Sequence, residues 1–102
     1  NQEEVFGPIA SVIRVEDYDE ALQVANDTPF GLSAGICTGS LKHATHFKAN
    51  AEAGMVMVNL PTAGVDYHVP FGGTKGSSCG GREQGAHAKE FYSKIKTSYT
   101  FA

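Results

Sequence analysis

The stretch LSAGICTGSLKHATHFKANAEAGMVMVNL, residues 32–60, decides the fold of this chain. It opens with a short run of small and apolar residues (32–38) and closes with a second apolar run (55–60). Between them, Ser40 can cap a helix that Gly54 would end. The inner face of that helix is expected to carry Leu41, Ala44 and Phe47. Strand, helix and strand in this order predict two parallel strands joined by a right-handed crossover.

Upstream of this unit, the sequence predicts a further strand and a further helix. Residues 9–15 are rich in β-branched side chains and predict a strand. Asp17, followed three residues later by Glu20, predicts a helix start, and Pro29 keeps that helix from continuing. The inner face of the helix is expected to carry Ala21, Leu22, Val24 and Ala25. The expected fold is therefore α/β, with a parallel βαβαβ arrangement.

After residue 60 the regular patterns stop. Residues 61–81 are glycine-rich without a clear period, and loops of this length are usually functional or held by other parts of a protein. A helix is expected from about Glu83, and Arg82 with Glu83 is expected to form an ion pair or a cap. Residues 95–101 alternate polar and apolar side chains and predict a final strand. Because that strand has no local partner, we expect it to pair with a sheet elsewhere.

Composition narrows the classes of protein that are possible. A chain of 102 residues allows one domain at most, and its net charge of −3 with scattered Lys and Arg argues against nucleic-acid binding. No apolar run approaches the ~20 residues of a membrane span. Cys37 and Cys79 are too few for a disulfide framework, so a reducing, cytoplasmic setting is expected. The chain begins with Asn1 rather than Met, which suggests part of a longer sequence.

Several short motifs, each weak by itself, occur in one order along the chain. They are EEVFGP (residues 3–8), NDTPFGLSA (26–34), MVMVN (55–59), PFGGTK (70–75), GRE (81–83) and KT (96–97). Together they resemble the aldehyde dehydrogenase family over essentially the whole chain. The segment at 76–83 is one residue longer than the usual family pattern. With residues 65–69 and 91–92, it is similar to the α-ketoglutaric semialdehyde (2,5-dioxovalerate) dehydrogenase branch.

The resemblance implies a larger enzyme that oxidises an aldehyde to a carboxylate with NAD or NADP, through a cysteine thiohemiacetal. Residues 1–93 would complete its catalytic domain, and residues 94–102 would be the terminal strand of its oligomerisation sheet. In the family the nucleophile lies upstream of Glu4, so this chain is expected to hold no catalytic residue and to be inactive alone. Its partners would be an aldehyde, the remainder of the enzyme and further copies in a homo-oligomer.

The same resemblance implies three binding residues. The Glu4 carboxylate would accept hydrogen bonds from the hydroxyls of the nicotinamide ribose, and the Phe6 ring would pack near the nicotinamide. Phe71 matches an aromatic residue that lines the substrate tunnel. Without the resemblance, Glu4 is a solvated charge, Phe6 a core ring and Phe71 a loop anchor.

Other reactive residues have simpler interpretations. Cys37 is expected to be a small buried apolar residue, and Cys79, among glycines, an exposed oxidisable thiol rather than a nucleophile. His43 and His46 have a spacing that a metal could use, but without a third ligand a solvated helix face and no metal are expected. In the segment GGTKGS, Lys75 precedes its glycine, so the phosphate-loop order fails.

A second hypothesis belongs to a different class of function. The chain could be a stand-alone assembly or binding module that associates with itself or a partner through its terminal strand.

Overall fold

The computed structural model describes residues 2–102 and has α/β architecture. Its regular elements are α1 (Tyr18–Asn26), β1 (Ser33–Ile36), α2 (Leu41–Asn50), β2 (Met55–Val58) and α3 (Ala88–Phe91). Two 3-10 turns, Lys75–Ser77 and Gly85–His87, lie in the region after β2. Within residues 2–102, no helix is long and apolar enough to cross a bilayer.

The central unit is β1, α2 and β2, and it confirms the parallel arrangement expected from residues 32–60. β1 and β2 form a two-stranded parallel sheet whose register runs from Ser33 opposite Met55 to Ile36 opposite Val58. Both strands are shorter than the apolar runs that predicted them.

The sheet ends where Asn59 leaves the extended conformation. Asn59 has a φ of 56°, in the left-handed region that Asn tolerates better than most residues. Its backbone N–H donates to the carbonyl of Ile36 at 2.8 Å. Its side-chain amide turns back to Thr38, with Oδ1 accepting from the Thr38 N–H and Nδ2 donating to the Thr38 carbonyl. The carboxyl ends of β1 and β2 are thus joined by one side chain.

Helices α1 and α2 start as the sequence predicts. Asp17 Oδ1 accepts from the N–H of Glu20 at 2.9 Å, and Glu20 Oε2 accepts from the N–H of Glu16 at 2.7 Å. This reciprocal pair satisfies donors that the first turn of a helix leaves free. Ser40 Oγ caps α2 in the same way by accepting from the N–H of His43 at 3.3 Å.

The end of α2 differs from the prediction. The helix stops at Asn50 rather than continuing to Gly54. The reason lies in the side chain of Asn26, at the end of α1. Its Nδ2 donates to the carbonyl of Asn50 and its Oδ1 accepts from the N–H of Glu52, both at 2.9 Å. A contact from another helix therefore takes over backbone groups that the next turn of α2 would have used.

The strand predicted at residues 9–15 is wrong for this chain, and the strand predicted at residues 95–101 has no pairing partner among residues 2–102. Residues 9–15 and residues 95–101 form no strand within the described structure, so the expected βαβαβ unit is reduced to βαβ. Val12 and Ile95 are fully or almost fully exposed. A strand needs a neighbour to pair its backbone N–H and C=O groups, and neither segment lies beside one here. Pairing of the terminal segment with another sheet stays a prediction.

The helix expected from Glu83 starts later and is short. The backbone of Glu83 is paired with that of Phe71 in an isolated antiparallel bridge. Gln84 follows with a φ of 68°, which a right-handed helix excludes. The chain then makes the 3-10 turn and enters α3.

The core of the described chain is thin. Its buried apolar side chains are Phe47 and Met55, whereas Leu41, expected on the inner face of α2, is 81% exposed. The radius of gyration is 17.8 Å, against about 13 Å for a compact chain of about 100 residues. The accessible surface is 8371 Å², against about 5,500 Å² for a folded monomer of this mass. The chain therefore exposes apolar surface that a compact protein of its size would bury.

Candidate functional site

Gly31 is the junction at which the glycine-rich loop meets the sheet. Its carbonyl accepts from the N–H of Gly54 at 3.0 Å and from the N–H of Thr74 at 2.9 Å. Its own N–H donates to Ser77 Oγ at 2.9 Å. A Cβ at Gly31 would collide with Thr74 Oγ1 and with the carbonyl oxygen of Glu52, so only glycine fits here. Residues distant in sequence converge on this one backbone position.

The rest of the loop is held by close backbone approach and by its own side chains. A Cβ at Gly54 would overlap the carbonyl of Gly72, which shows how tightly the loop lies against the start of β2. The N–H of Gly73 donates to Ser78 Oγ at 2.8 Å, and Arg82 Nη1 donates to the Gly73 carbonyl. Among residues 2–102, Arg82 forms neither the ion pair with Glu83 nor the helix cap that was expected, and instead holds the loop through a backbone carbonyl.

Lys75 connects the loop to the ends of both longer helices. Its Nζ donates to the carbonyls of Asn26 at 2.6 Å and Thr28 at 3.1 Å, and lies 2.6 Å from Glu52 Oε2. A cation is favourable at carbonyls that a helix end leaves free. The sequence interpretation missed this role, because it considered Lys75 only as a phosphate ligand. No local pattern points to partners that lie 47 and 49 residues away.

A cleft of about 380 Å³ lies beside Gly31. Three carboxylate side chains, those of Glu3, Glu4 and Glu52, contribute to its lining, together with Ser77. Lys75 neutralises Glu52 through their ion pair. The remaining acidic surface favours ligand groups that donate hydrogen bonds and disfavours phosphates, because like charges repel.

The structure brings one of the three predicted binding residues to this cleft. Glu4 lines it, and within residues 2–102 the Glu4 carboxylate has no hydrogen-bond or ion-pair partner. Phe6 is 92% exposed and does not line the cleft. Phe71 lies outside it too, half-buried, with its N–H donating to the Glu83 carbonyl at 2.7 Å and its carbonyl accepting from the Glu83 N–H at 2.8 Å. The three residues therefore do not form one site within this chain.

A second cluster lies where α1 meets α2. The ring of Tyr18 stacks on that of His43 with centroids 4.3 Å apart, and the Tyr18 hydroxyl shares a 2.8 Å hydrogen bond with His46 Nδ1. Partial burial raises the pKa of Tyr18 above 10.0, and the negative charge of Asp19 adds to the rise. His46 is exposed, as expected of a solvated helix face, whereas His43 is half-buried under the ring of Tyr18. Within residues 2–102, no three His, Cys, Asp or Glu side chains are grouped as metal ligands.

The two cysteines are free and exposed. This confirms the interpretation of Cys79 as a surface thiol and corrects the expectation that Cys37 is buried. Cys37 follows directly after β1, where the short sheet leaves its side chain uncovered.

Comparison with known proteins gives the same family over nearly all of the chain. The model of the aldehyde dehydrogenase family matches residues 1–98. An α-ketoglutaric semialdehyde dehydrogenase of Bacillus subtilis is 47% identical over 98 residues, covering 96% of this chain and 20% of the relative. An α-ketoglutarate semialdehyde dehydrogenase of Haloferax volcanii is 52% identical over 99 residues, with the same two coverages. The chain thus spans about a fifth of the length of the curated relatives it matches.

Solved structures agree with the sequence comparison. The structure of an indole-3-acetaldehyde dehydrogenase complexed with NAD⁺ superposes with a TM-score of 0.83 at 42% identity, covering 95% of this chain and 19% of that one. The aldehyde dehydrogenase KauB from Pseudomonas aeruginosa superposes with a TM-score of 0.83 at 44% identity, covering 93% of this chain and 19% of its own. On these matches, and on the motif order and the parallel βαβ unit that they share, the chain belongs to the aldehyde dehydrogenase family.

Proposed function

We propose that this chain is the C-terminal part of the catalytic domain of an NAD- or NADP-dependent aldehyde dehydrogenase. Residues 1–93 belong to the catalytic domain, and residues 94–102 are the terminal strand of an oligomerisation sheet. The observation that carries the proposal is the family match over residues 1–98, in which the chain spans about a fifth of the length of its relatives. The apolar surface that the chain leaves exposed supports it, because that surface suits packing against the remainder of an enzyme.

The substrate that we propose is α-ketoglutaric semialdehyde. Two relatives named for this aldehyde are 47% and 52% identical to the chain. Relatives named for aminoacetaldehyde and betaine aldehyde are 46% and 43% identical. A 2,5-dioxopentanoate dehydrogenase of Saccharolobus solfataricus, named for the same aldehyde, is 42% identical, so the proposal rests on the two higher identities together with the longer loop at residues 76–83. The cysteine nucleophile lies outside this chain, so residues 1–102 alone are inactive.

The cleft beside Gly31 suits one part of a dinucleotide. Glu4 lines this cleft with a carboxylate that no side chain among residues 2–102 pairs with, and a carboxylate can accept from two neighbouring hydroxyls of a ribose. Such charge-assisted bonds contribute about 1.5–3 kcal/mol each. A phosphate would be repelled by the same carboxylates, so the pyrophosphate belongs elsewhere in the enzyme. When bound, the nicotinamide supplies a hydride acceptor for the aldehyde carbon.

Two aromatic rings have proposed roles beside the cofactor and the substrate. The Phe6 ring, exposed in this chain, is available to pack on the nicotinamide once the remainder of the enzyme encloses it. Such packing would fix the direction of hydride transfer, for which displacements of about 1 Å are costly. Phe71, held by its bridge to Glu83, would line the path of the aldehyde.

The terminal segment has a proposed role in assembly. Ile95, Tyr99 and Phe101 are each at least 95% exposed, and they alternate with polar residues as in a strand with one apolar face. Pairing with the sheet of another copy would satisfy its backbone groups and cover these side chains. The cytoplasmic setting stays a prediction from the two free cysteines.

The test compares the complete protein that contains this chain with the 102-residue chain alone. Both are mixed with α-ketoglutaric semialdehyde and either NAD⁺ or NADP⁺, and the reduced nicotinamide is followed by absorbance. We expect turnover by the complete protein with at least one dinucleotide and none by the chain alone. Turnover by the isolated chain, or a complete protein inactive on a panel of aldehydes, would contradict the proposal. Preference for another aldehyde would contradict only the substrate assignment.

A further inference from the structure

The proposed ribose ligand Glu4 lies on a segment that has no secondary structure of its own. Residues 2–15 form neither helix nor strand, so Glu4 depends on other contacts for its position. One such contact is made by Gln2, whose Nε2 donates to the carbonyl of Asp27 at 2.8 Å. The segment that carries Glu4 is therefore attached to the turn that follows α1.

That turn is fixed in place by Lys75. The carbonyls on either side of Asp27, those of Asn26 and Thr28, both accept from Lys75 Nζ. The same Nζ pairs with Glu52, which lies beyond the end of α2. Only 23% of the Lys75 side chain is exposed. The backbone of Lys75 has a φ of 52°, which is unusual for a residue other than glycine. Lys75 thus combines a backbone conformation that costs free energy with a side chain that has three polar partners.

The charge of Lys75 also acts on the cleft directly. Glu52 lines the cleft beside Glu3 and Glu4, and Lys75 is the cation paired with it. Without this cation, three carboxylates in one cleft would be uncompensated. These carboxylates would then weaken the binding of a dinucleotide, because they repel its negatively charged phosphates even though the phosphates bind elsewhere in the enzyme.

From these contacts we infer that Lys75 is a positioning residue for dinucleotide binding. Lys75 does not line the cleft itself. It holds the turn at residues 26–28, on which Gln2 places the segment of Glu4, and it neutralises Glu52. This inference rests on the proposed function, because it assumes that the complete enzyme binds NAD⁺ or NADP⁺ near Glu4.

The test uses four variants of the complete enzyme and measures the Kd of NAD⁺ and of NADP⁺ by calorimetry, without aldehyde. Lys75→Met removes the charge and the hydrogen bonds, whereas Lys75→Arg keeps a cation. Gln2→Leu cuts only the tether to Asp27. Lys48→Met is the matched control, because Lys48 lies exposed near the end of α2 and lines no part of the cleft. Thermal unfolding is recorded for each variant.

We expect Lys75→Met to raise the Kd of the preferred dinucleotide about tenfold. The reason is that a displaced Glu4 would lose about one charge-assisted hydrogen bond to the ribose. Lys75→Arg should restore part of the affinity. Gln2→Leu should weaken binding about threefold or more with an unchanged unfolding temperature, in keeping with the loss of one neutral hydrogen bond. Lys48→Met should bind as the wild type does.

A purely structural role for Lys75 predicts a different result. In that case Lys75→Met lowers the unfolding temperature but the folded fraction binds with an unchanged Kd, and the inference is overturned. If Lys75→Met does not fold, the Kd of Gln2→Leu is the test. An unchanged Kd for that variant overturns the inference as well. A wild-type enzyme that binds neither dinucleotide overturns the proposed function itself, which separates the two failures.

Discussion

The amide of Asn59 holds both backbone groups of Thr38. Asn59 Oδ1 accepts from the Thr38 N–H at 2.8 Å, and Asn59 Nδ2 donates to the Thr38 carbonyl at 3.0 Å. This contact crosses from the end of β2 to the end of β1, so it substitutes for the next rung of the sheet.

Replacing Asn59 should therefore destabilise the sheet. Asn59→Ala removes two hydrogen bonds and places alanine at a φ of 56°, so we expect a loss of about 1–2 kcal/mol in the free energy of unfolding. Asn59→Gly tolerates the φ and loses only the hydrogen bonds, and it should cost less. Urea unfolding of the complete protein measures both. Equal stability of Asn59→Ala and the wild type would show that the amide contributes nothing.

The close approach of the loop to β2 predicts a strong effect at Gly54. A Cβ there would overlap the Gly72 carbonyl and lie 2.7 Å from the Gly73 Cα. Gly54→Ala must push backbone against backbone, and a loss of about 1–3 kcal/mol or failure to fold is expected. Gly39→Ala is the matched control, since a Cβ there meets nothing within 4 Å. Thermal unfolding of the two variants side by side checks this, and a Gly54→Ala protein as stable as the control would contradict it.

Tyr18 gives a prediction for alkaline pH. Its pKa is raised above 10.0 in the folded chain, first by partial burial and then by Asp19. The folded state therefore favours the neutral hydroxyl, and this stabilisation is complete below pH 10.0 and is lost as pH rises through the folded pKa.

The measurement is the free energy of unfolding on both sides of that pH. Wild-type stability should fall more steeply with rising pH than that of Tyr18→Phe, which has no hydroxyl to ionise. Tyr99→Phe, which changes a 95% exposed residue, is the control and should follow the wild type. If the stability of the wild type and of Tyr18→Phe falls equally with pH, the loss of stability cannot be assigned to ionisation of Tyr18.

Glu4 is the residue on which the proposed cofactor site depends most. Glu4→Gln keeps the shape of the side chain but removes the charge that strengthens its bonds to ribose hydroxyls. The Kd of the dinucleotide should rise about tenfold, and Glu3→Gln, in the same cleft, should change it much less. Calorimetry on the complete enzyme measures both, and equal effects would point to general charge rather than a specific contact.

The terminal segment can be tested through the size of the assembly. Ile95 belongs to the apolar face of the alternating pattern, and Ser98 to the polar face. Ile95→Asp should shift the complete protein toward smaller species in light scattering, because a buried charge disfavours strand pairing. Ser98→Asp should leave the mass unchanged. An unchanged mass for Ile95→Asp would argue against residues 94–102 as an assembly strand.

The features that were predictable from the sequence depend on neighbours along the chain. Asp17 and Ser40 cap their helices through N–H groups three residues away, which is a spacing visible in one dimension. The order of the motifs likewise indicated the family before any contact was known. Residues 9–15 show the limit of such patterns: a β-branched run predicts a strand, but only a pairing partner makes one.

By itself, then, the sequence determined the family, the starts of α1 and α2, and the parallel pairing of β1 with β2. Only the tertiary structure decided that Lys75 binds the end of α1, that Asn26 ends α2, and that Glu4 reaches a cleft which Phe6 and Phe71 do not share. The physical reason is distance along the chain. Caps and periodic faces are local, whereas these contacts join residues more than 20 positions apart, and their geometry exists only once the backbone has folded.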